Sequence, residues 1–98
     1  MPQSDTDPEF DVTTALQELP SWNGDARSIS RAITCPTFPA AITLVDRVAE
    51  VAEAMNHHPD IDIRWRTVTF TATTHDRGGV TELDIELART IDRLAADL

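Results

Sequence analysis

Apolar residues recur along the chain with two periodicities, one typical of strands and the other typical of helices. Apolar and polar positions alternate in residues 27–34. Ile29 and Ile33 lie on one face and the polar Ser28, Ser30 and Thr34 on the other, which predicts a half-buried strand. Two further alternating runs, of opposite parity, are Ile61, Ile63 and Trp65 and then Val68, Phe70 and Ala72. Threonines fill the second run, as they often do in strands. If no bulge intervenes, His75 shares a face with Trp65 and the threonines.

Helical spacing is clearest between Ala40 and Asn56. The apolar stripe of this predicted helix comprises Ile42, Val45, Val48, Ala49, Ala52 and Met55. Pro59 disfavours helical geometry in the residue before it, so the helix should end at His57 or His58. Two adjacent histidines are therefore expected at the end of a helix.

Two other helices are predicted near the ends of the chain. Asp11 or Thr13 can cap a short helix that ends before Pro20. After the Gly78-Gly79 turn, Thr81 and Asp84 form a capping-box-like start for a final helix. Its predicted apolar face comprises Leu83, Leu87, Ala88, Ile91, Leu94, Ala95 and Leu98.

The order of these elements predicts an α+β domain with two layers. We expect an antiparallel sheet of about four strands with about three helices packed on one face. Residues 1–10 contain two prolines and several acids with little apolar material, so they are predicted to be a disordered tail. Residues 11–98 are predicted to form one domain. Because a chain of 98 residues makes only a small core, we also expect it to associate.

Composition excludes several classes of function. Seventeen acidic and eight basic residues give a formal charge of −9, which opposes direct binding to nucleic acid. The sequence contains no apolar run long enough to cross a membrane. Its polar, acidic start lacks the features of a secretory signal peptide, which predicts a cytoplasmic protein. The single cysteine, Cys35, is interpreted as a packed thiol rather than a metal ligand.

The three histidines, His57, His58 and His75, are the main chemical signal. A histidine can give or take a proton near neutral pH, so a group of three suits a reaction that protonates one atom and deprotonates another. Two other interpretations remain open at this point. Histidines at a helix end can cap loose carbonyls, and two histidines with a carboxylate can form an iron site.

The spacing of these residues resembles that of the pterin-4a-carbinolamine dehydratases. Glu53 is followed after three residues by His57-His58-Pro59, then by Trp65, His75 and Asp84 at the spacing of that family's signature. The resemblance covers roughly residues 10–95. Outside the signature it is carried by Trp22, Ile29, Arg31, Phe38, Ala41 and Val48-Ala49, and by the pattern from Leu83 to Asp92.

The resemblance implies dehydration of a 4a-hydroxytetrahydropterin to a quinonoid dihydropterin without a metal or organic cofactor. It implies catalytic roles for His57, His58 and His75, with His57 and His75 as the acid-base pair. It assigns Glu53, Trp65 and Asp84 to substrate binding, and it implies a homodimer or a homotetramer.

Each of these last three residues also has a purely structural interpretation. Glu53 can belong to an acidic helix face, Asp84 can simply cap the last helix, and Trp65 can pack on the sheet. Two alternative functions are a non-catalytic dimerisation or assembly module for another protein and an oligomeric scaffold that binds a different heterocycle.

Overall fold

The structure is a computed structural model that describes residues 10–98, so the predicted tail lies outside the described part except for Phe10. Four strands form one antiparallel sheet in the order β1-β2-β4-β3. The strands are β1 (Asn23–Gly24), β2 (Ile29–Thr34), β3 (Asp60–Arg64) and β4 (Thr67–Ala72). The helices are α1 (Val12–Gln17), α2 (Phe38–Met55) and α3 (Glu82–Ala96), with a 3₁₀ turn at His75–Arg77. The predicted α+β class is confirmed.

The hydrophobic core lies between the sheet and the helices. Strand β4 is central, and its residues alternate between buried and half-buried, as the sequence predicts for a strand with one covered face. Phe70 and Val68 are fully buried, and Val68 pairs with Ile33 of β2. Helices α2 and α3 contact each other and both contact β4. The sheet therefore anchors both helices whose ends carry the candidate site.

Helix α2 begins two residues earlier than predicted. Thr37 caps it, because its hydroxyl accepts a hydrogen bond from the backbone N–H of Ala40 at 3.1 Å. Pro39 is tolerated within the first turn, where a backbone N–H has no partner inside the helix. The predicted apolar stripe is also slightly rotated, since Ala49 is exposed. The buried residues of α2 are Ala41, Leu44, Val48 and Ala52.

Helix α3 begins as predicted, with a capping box formed by Thr81 and Asp84. The predicted apolar face is wrong at two positions, because Leu83 and Leu98 are exposed, while Ile85, which the prediction left out, is buried. Asp84 occupies a buried position next to Ile85 and is 0% exposed. A charged group therefore lies on the face of the helix that meets the core.

The hairpin between β3 and β4 separates Trp65 from the strands. Trp65 has a φ of 54° and lies with Arg66 in the connecting turn, and its side chain is 71% exposed. Strand β4 ends at Ala72, so His75 is not part of it. The expectation that His75 and Trp65 share a strand face is therefore wrong, because the change of parity marks a turn.

A cluster of polar side chains connects β2 to α3. Oδ1 of Asp92 accepts hydrogen bonds from the Trp22 indole N–H at 2.8 Å and from Arg31 at 2.5 Å. Trp22 is nearly fully buried, so its N–H needs such a partner. This cluster holds the N-terminal part of the chain against α3.

Two further expectations concern Cys35 and membranes. Cys35 is 1% exposed, as predicted for a packed thiol, and its burial raises the pKa of the thiol. Among residues 10–98, no helix is long and apolar enough to cross a membrane.

Two leucines of α3 provide a matched test of this core. Leu87→Ala should lower the free energy of unfolding by about 2–5 kcal/mol, because Leu87 is fully buried and the substitution leaves a cavity. Leu83→Ala on the same helix should change it by less than about 0.5 kcal/mol. Denaturation in urea measures both values. Equal losses for the two variants would contradict this account of the core.

Candidate active site

The end of α2 sets the position of His57. Asn56 adopts the left-handed conformation, with φ 53° and ψ 42°, which asparagine tolerates better than most residues. The backbone N–H of His57 then donates to the carbonyl of Ala52 at 3.0 Å, which is the hydrogen bond of a Schellman ending. The helix thus ends at Met55, earlier than the prediction from Pro59. His57 is turned back toward the core.

His57 lies against the buried carboxylate of Asp84. The distance from His57 Nε2 to Asp84 Oδ1 is 2.5 Å. The His57 side chain is only 10% exposed and that of Asp84 is 0% exposed. A hydrogen bond between groups this well shielded from water restricts the orientation of the imidazole ring much more than an exposed pair does.

The other oxygen of Asp84 binds two donors. Oδ2 accepts hydrogen bonds from the hydroxyl of Thr74 and from the backbone N–H of Thr81, both at 2.8 Å. The second of these is the capping-box bond at the start of α3. Asp84 therefore caps the helix through one oxygen and contacts His57 through the other. The predicted capping role and the contact with His57 occur together.

His75 is carried by a short loop that closes on itself. The backbone groups of Thr74 and Gly79 exchange hydrogen bonds at 2.9 and 3.2 Å, and His75 begins the 3₁₀ turn between them. Gly78 has a φ of 76°, a conformation that favours glycine. A Cβ atom at Gly79 would lie 2.4 Å from the Ala26 carbonyl oxygen, so the close approach also requires glycine.

The end of α2 and this loop line a shallow, open hollow of about 330 Å³. Its lining residues are Asn56, His57, His58, Thr73, Thr74, His75 and Asp76. All three histidines of the chain therefore line one site. Two larger hollows, of about 770 and 580 Å³, lie beside Phe10 and α1, and no histidine is among the described residues that line them.

His58 forms a second histidine-carboxylate pair, and this one is exposed. Its Nε2 lies 2.9 Å from Oε1 of Glu53, one turn back along α2. The two side chains are 57% and 80% exposed, so water competes for both groups. His58 consequently has more freedom to reorient than His57.

The structure brings together most of the residues singled out in the sequence, but not all of them. Glu53 reaches the site through His58. Asp84 has no exposed surface and reaches the site only through His57 and Thr74. Trp65 lies beyond the far end of β4, a strand of six residues that is about 20 Å long at roughly 3.3 Å per residue. Within one chain, Trp65 does not contribute to this hollow.

Thr74 is a site residue that the sequence analysis missed. Its place next to His75 is the sequence signal that could have identified it. Its hydroxyl is buried and contacts both Asp84 and Thr81.

The arrangement is suited to proton transfer. Neutral histidines can accept a proton and protonated ones can donate it, and a carboxylate behind one ring stabilises its charged form. Among residues 10–98, no group of three or more histidine, cysteine or acidic side chains is arranged to hold a metal ion.

The two histidine-carboxylate pairs should differ in their effect on stability. Asp84→Ala leaves three donors without an acceptor in a buried place, so the free energy of unfolding should fall by about 3–5 kcal/mol. Glu53→Ala breaks the exposed pair and should change it by less than about 1 kcal/mol. Urea denaturation at neutral pH compares the two variants. A small loss for Asp84→Ala would contradict the importance of the buried pair.

Sequence and structure comparisons agree on the relatives of this chain. The family model for pterin 4 alpha carbinolamine dehydratase matches residues 7–94. A relative from Nocardia farcinica, provisionally named a pterin-4-alpha-carbinolamine dehydratase, is 63% identical over 84 residues, which cover 86% of this chain and 88% of that protein. A Mycolicibacterium smegmatis relative with the same provisional name is 51% identical over 86 residues, covering 88% and 92%.

Two solved structures share the fold. The crystal structure of a transcriptional coactivator/pterin dehydratase from Brucella melitensis has a TM-score of 0.85 at 31% identity, covering 93% of this chain and 99% of that one. A pterin dehydratase-like RuBisCO assembly factor of the alpha-carboxysome has a TM-score of 0.62 at 20% identity, covering 76% and 86%, and this likeness concerns the fold alone. From the family match and the identity of its relatives, the chain belongs to the pterin 4 alpha carbinolamine dehydratase family.

Proposed function

We propose that this protein dehydrates a 4a-hydroxytetrahydropterin to a quinonoid dihydropterin, as a step in tetrahydrobiopterin recycling in the cytoplasm. Family membership supports the substrate class. The observation that carries the proposal is the hollow in which His57, backed by a buried carboxylate, and His75 line the same space.

The reaction requires one proton donor and one proton acceptor. The bond between C4a and the hydroxyl oxygen breaks as the lone pair of N5 forms a double bond to C4a. The departing hydroxide takes a proton to become water, and the ring system loses a proton. Two histidines on either side of the hydroxyl supply both steps, so we assign no metal or organic cofactor. General acid-base catalysis of this kind typically contributes roughly 10²- to 10⁴-fold.

His57 is assigned as the base and His75 as the acid. The negative charge of Asp84 stabilises the imidazolium that forms when His57 takes a proton. His75 is exposed at the start of a 3₁₀ turn, so it can exchange protons with water between turnovers. The exposed pair of His58 and Glu53 holds the pterin at the rim, where both side chains have room to move.

Substitution of the histidines tests this assignment. His57→Ala and His75→Ala should each lower kcat for dehydration by roughly 10² or more, and the double variant should be inactive. His58→Ala should mainly raise KM. Absorbance of freshly generated 4a-hydroxytetrahydropterin follows the reaction, and Leu83→Ala serves as the control with normal activity. If the wild type does not exceed the spontaneous rate, the proposed function is wrong.

A non-catalytic role is the alternative, since the description of the Brucella melitensis relative includes a transcriptional coactivator. A dimerisation or assembly module needs the surface of the fold but no proton-transfer groups. Three histidines that line one hollow favour the enzyme. An inert wild type whose stability is raised by a bound partner protein, but not by pterins, would favour the alternative.

We also propose that the protein forms a homodimer or homotetramer in which β3 meets its copy. Strand β3 is at one edge of the sheet, and its side chains are exposed along its whole length. A long edge strand with exposed isoleucines tends to pair with another chain. The two isoleucines, Ile61 and Ile63, point to the same side as the buried Phe70 and Val68 with which they pair.

The sequence of β3 is nearly self-complementary. Antiparallel pairing of two copies centred on Asp62 places Ile61 opposite Ile63 and Asp60 opposite Arg64. Both contacts are favourable cross-strand pairs. Asp62 meets its own copy at the centre, and its contact with Arg64 at 3.1 Å reduces the repulsion there.

Charge exchange tests this interface. Asp60→Lys should weaken association roughly tenfold, because each copy then opposes Arg64 with a like charge. The double variant Asp60→Lys/Arg64→Asp should restore it. Light scattering over a concentration series measures association, with Asp97→Lys as a control of equal charge change. A wild type that is monomeric at every concentration, or a double variant no better than the single, would contradict the pairing.

A further inference from the structure

Four polar residues form a continuous hydrogen-bonded chain behind the hollow. The chain runs from Thr81 through Thr74 and Asp84 to His57. Thr74 is 7% exposed, Asp84 is fully buried and His57 is 9% exposed. Buried polar groups of this kind restrict one another, since each lost contact leaves an unpaired group away from water.

The geometry decides which group donates each hydrogen. A carboxylate only accepts, so Thr74 must give its single hydroxyl hydrogen to Oδ2 of Asp84. The contact of 2.9 Å between the two threonine hydroxyls must then use the hydrogen of Thr81. The hydroxyl hydrogens of Thr74 and Thr81 therefore both have an acceptor. Oδ2 receives two donors, from Thr74 and from the Thr81 backbone.

The same argument fixes the tautomer of His57. Oδ1 of Asp84 faces Nε2 of His57, and an ionised carboxylate needs a hydrogen on that nitrogen. Nδ1 of His57 has no hydrogen-bond partner within residues 10–98. Among the described residues, every buried side-chain nitrogen or oxygen has a hydrogen-bond partner. Because Nδ1 has no partner, it is not a buried atom, and His57 lines the hollow. Nδ1 is the nitrogen left to meet a ligand.

We propose that Thr74 is a positioning residue that holds Asp84 in place, keeps the hydrogen of His57 on Nε2 and leaves Nδ1 as the base. This inference rests on the proposed dehydratase function. Nδ1 takes the ring proton of the substrate, and His57 becomes an imidazolium with a hydrogen on each nitrogen. The hydroxide that leaves C4a takes its proton from His75. Water then returns His57 and His75 to their starting states, so the protons balance.

Nuclear magnetic resonance of the full-length, ¹⁵N-histidine-labelled protein tests this assignment. Only three histidines are present, so His58→Ala and His75→Ala assign the signals of the remaining rings. In the wild type, His57 should show a hydrogen on Nε2 and none on Nδ1. A wild-type His57 with its hydrogen on Nδ1 would overturn the proposal.

Thr74→Val and Thr74→Ser form the matched pair of variants. Valine has nearly the shape of threonine without the hydroxyl, so His57 should become a mixture of tautomers and kcat should fall roughly 10- to 100-fold with little change in KM. Serine keeps the hydroxyl, so it should keep one tautomer and most of the activity. If Thr74→Val retains the wild-type tautomer and kcat, Thr74 has no positioning role.

Asp84→Asn provides an independent readout if Thr74→Val folds poorly. The two donors at Oδ2 require the amide oxygen there, which places the amide N–H₂ toward His57. Nε2 must then accept, so the hydrogen of His57 should move to Nδ1 and activity should fall steeply. A tautomer that does not move in Asp84→Asn would overturn the assignment.

The two proposals fail in different ways. If the wild type is inert toward 4a-hydroxytetrahydropterin while the tautomer responds to both substitutions, the dehydratase function and the base role of Nδ1 are overturned, and the positioning by Thr74 stands. If the wild type is active but its tautomer is insensitive to Thr74, the function stands and the positioning role is overturned.

Discussion

One buried carboxylate links the start of a helix to a histidine of the candidate site. One oxygen of Asp84 accepts the hydrogen bond of the capping box of α3, and the other contacts His57. A buried charge is tolerated only when hydrogen bonds replace its water, and here three donors do so. The same contacts that stabilise the fold therefore orient the histidine. A change that loosens the start of α3 also loosens the site.

The remaining parts of the site depend on backbone geometry at two chain reversals. The left-handed Asn56 directs His57 inward, and the closed loop from Thr74 to Gly79 presents His75. Both reversals follow elements that pack into the hydrophobic core. Small, open sites of this kind do not need a deep cavity, because a planar heterocycle can be held at its edge by a few side chains. A shallow site of this kind can be formed by a chain of 98 residues.

Much of the fold could be predicted from the sequence, since the alternation around Phe70 and the capping pattern at Thr81 are local signals. The three histidines and Asp84 were also identified, through their spacing. Other features depend on contacts between distant residues. Whether Leu83 or Ile85 is buried depends on the angle at which α3 meets α2, and the role of Thr74 depends on a carboxylate ten residues away. The turn conformation of Trp65 was concealed because its residue type favours strands.

In the proposed complex, a pterin binds in the hollow with its ring facing Nδ1 of His57. A crystal structure of the protein with a stable dihydropterin tests this most directly. We expect the ring edge between His57 and His75, with Nδ1 of His57 in hydrogen-bonding distance of the ring and Nε2 still on Asp84. A pterin bound elsewhere, or one that meets His57 through Nε2 after its bond to Asp84 has broken, would contradict the account.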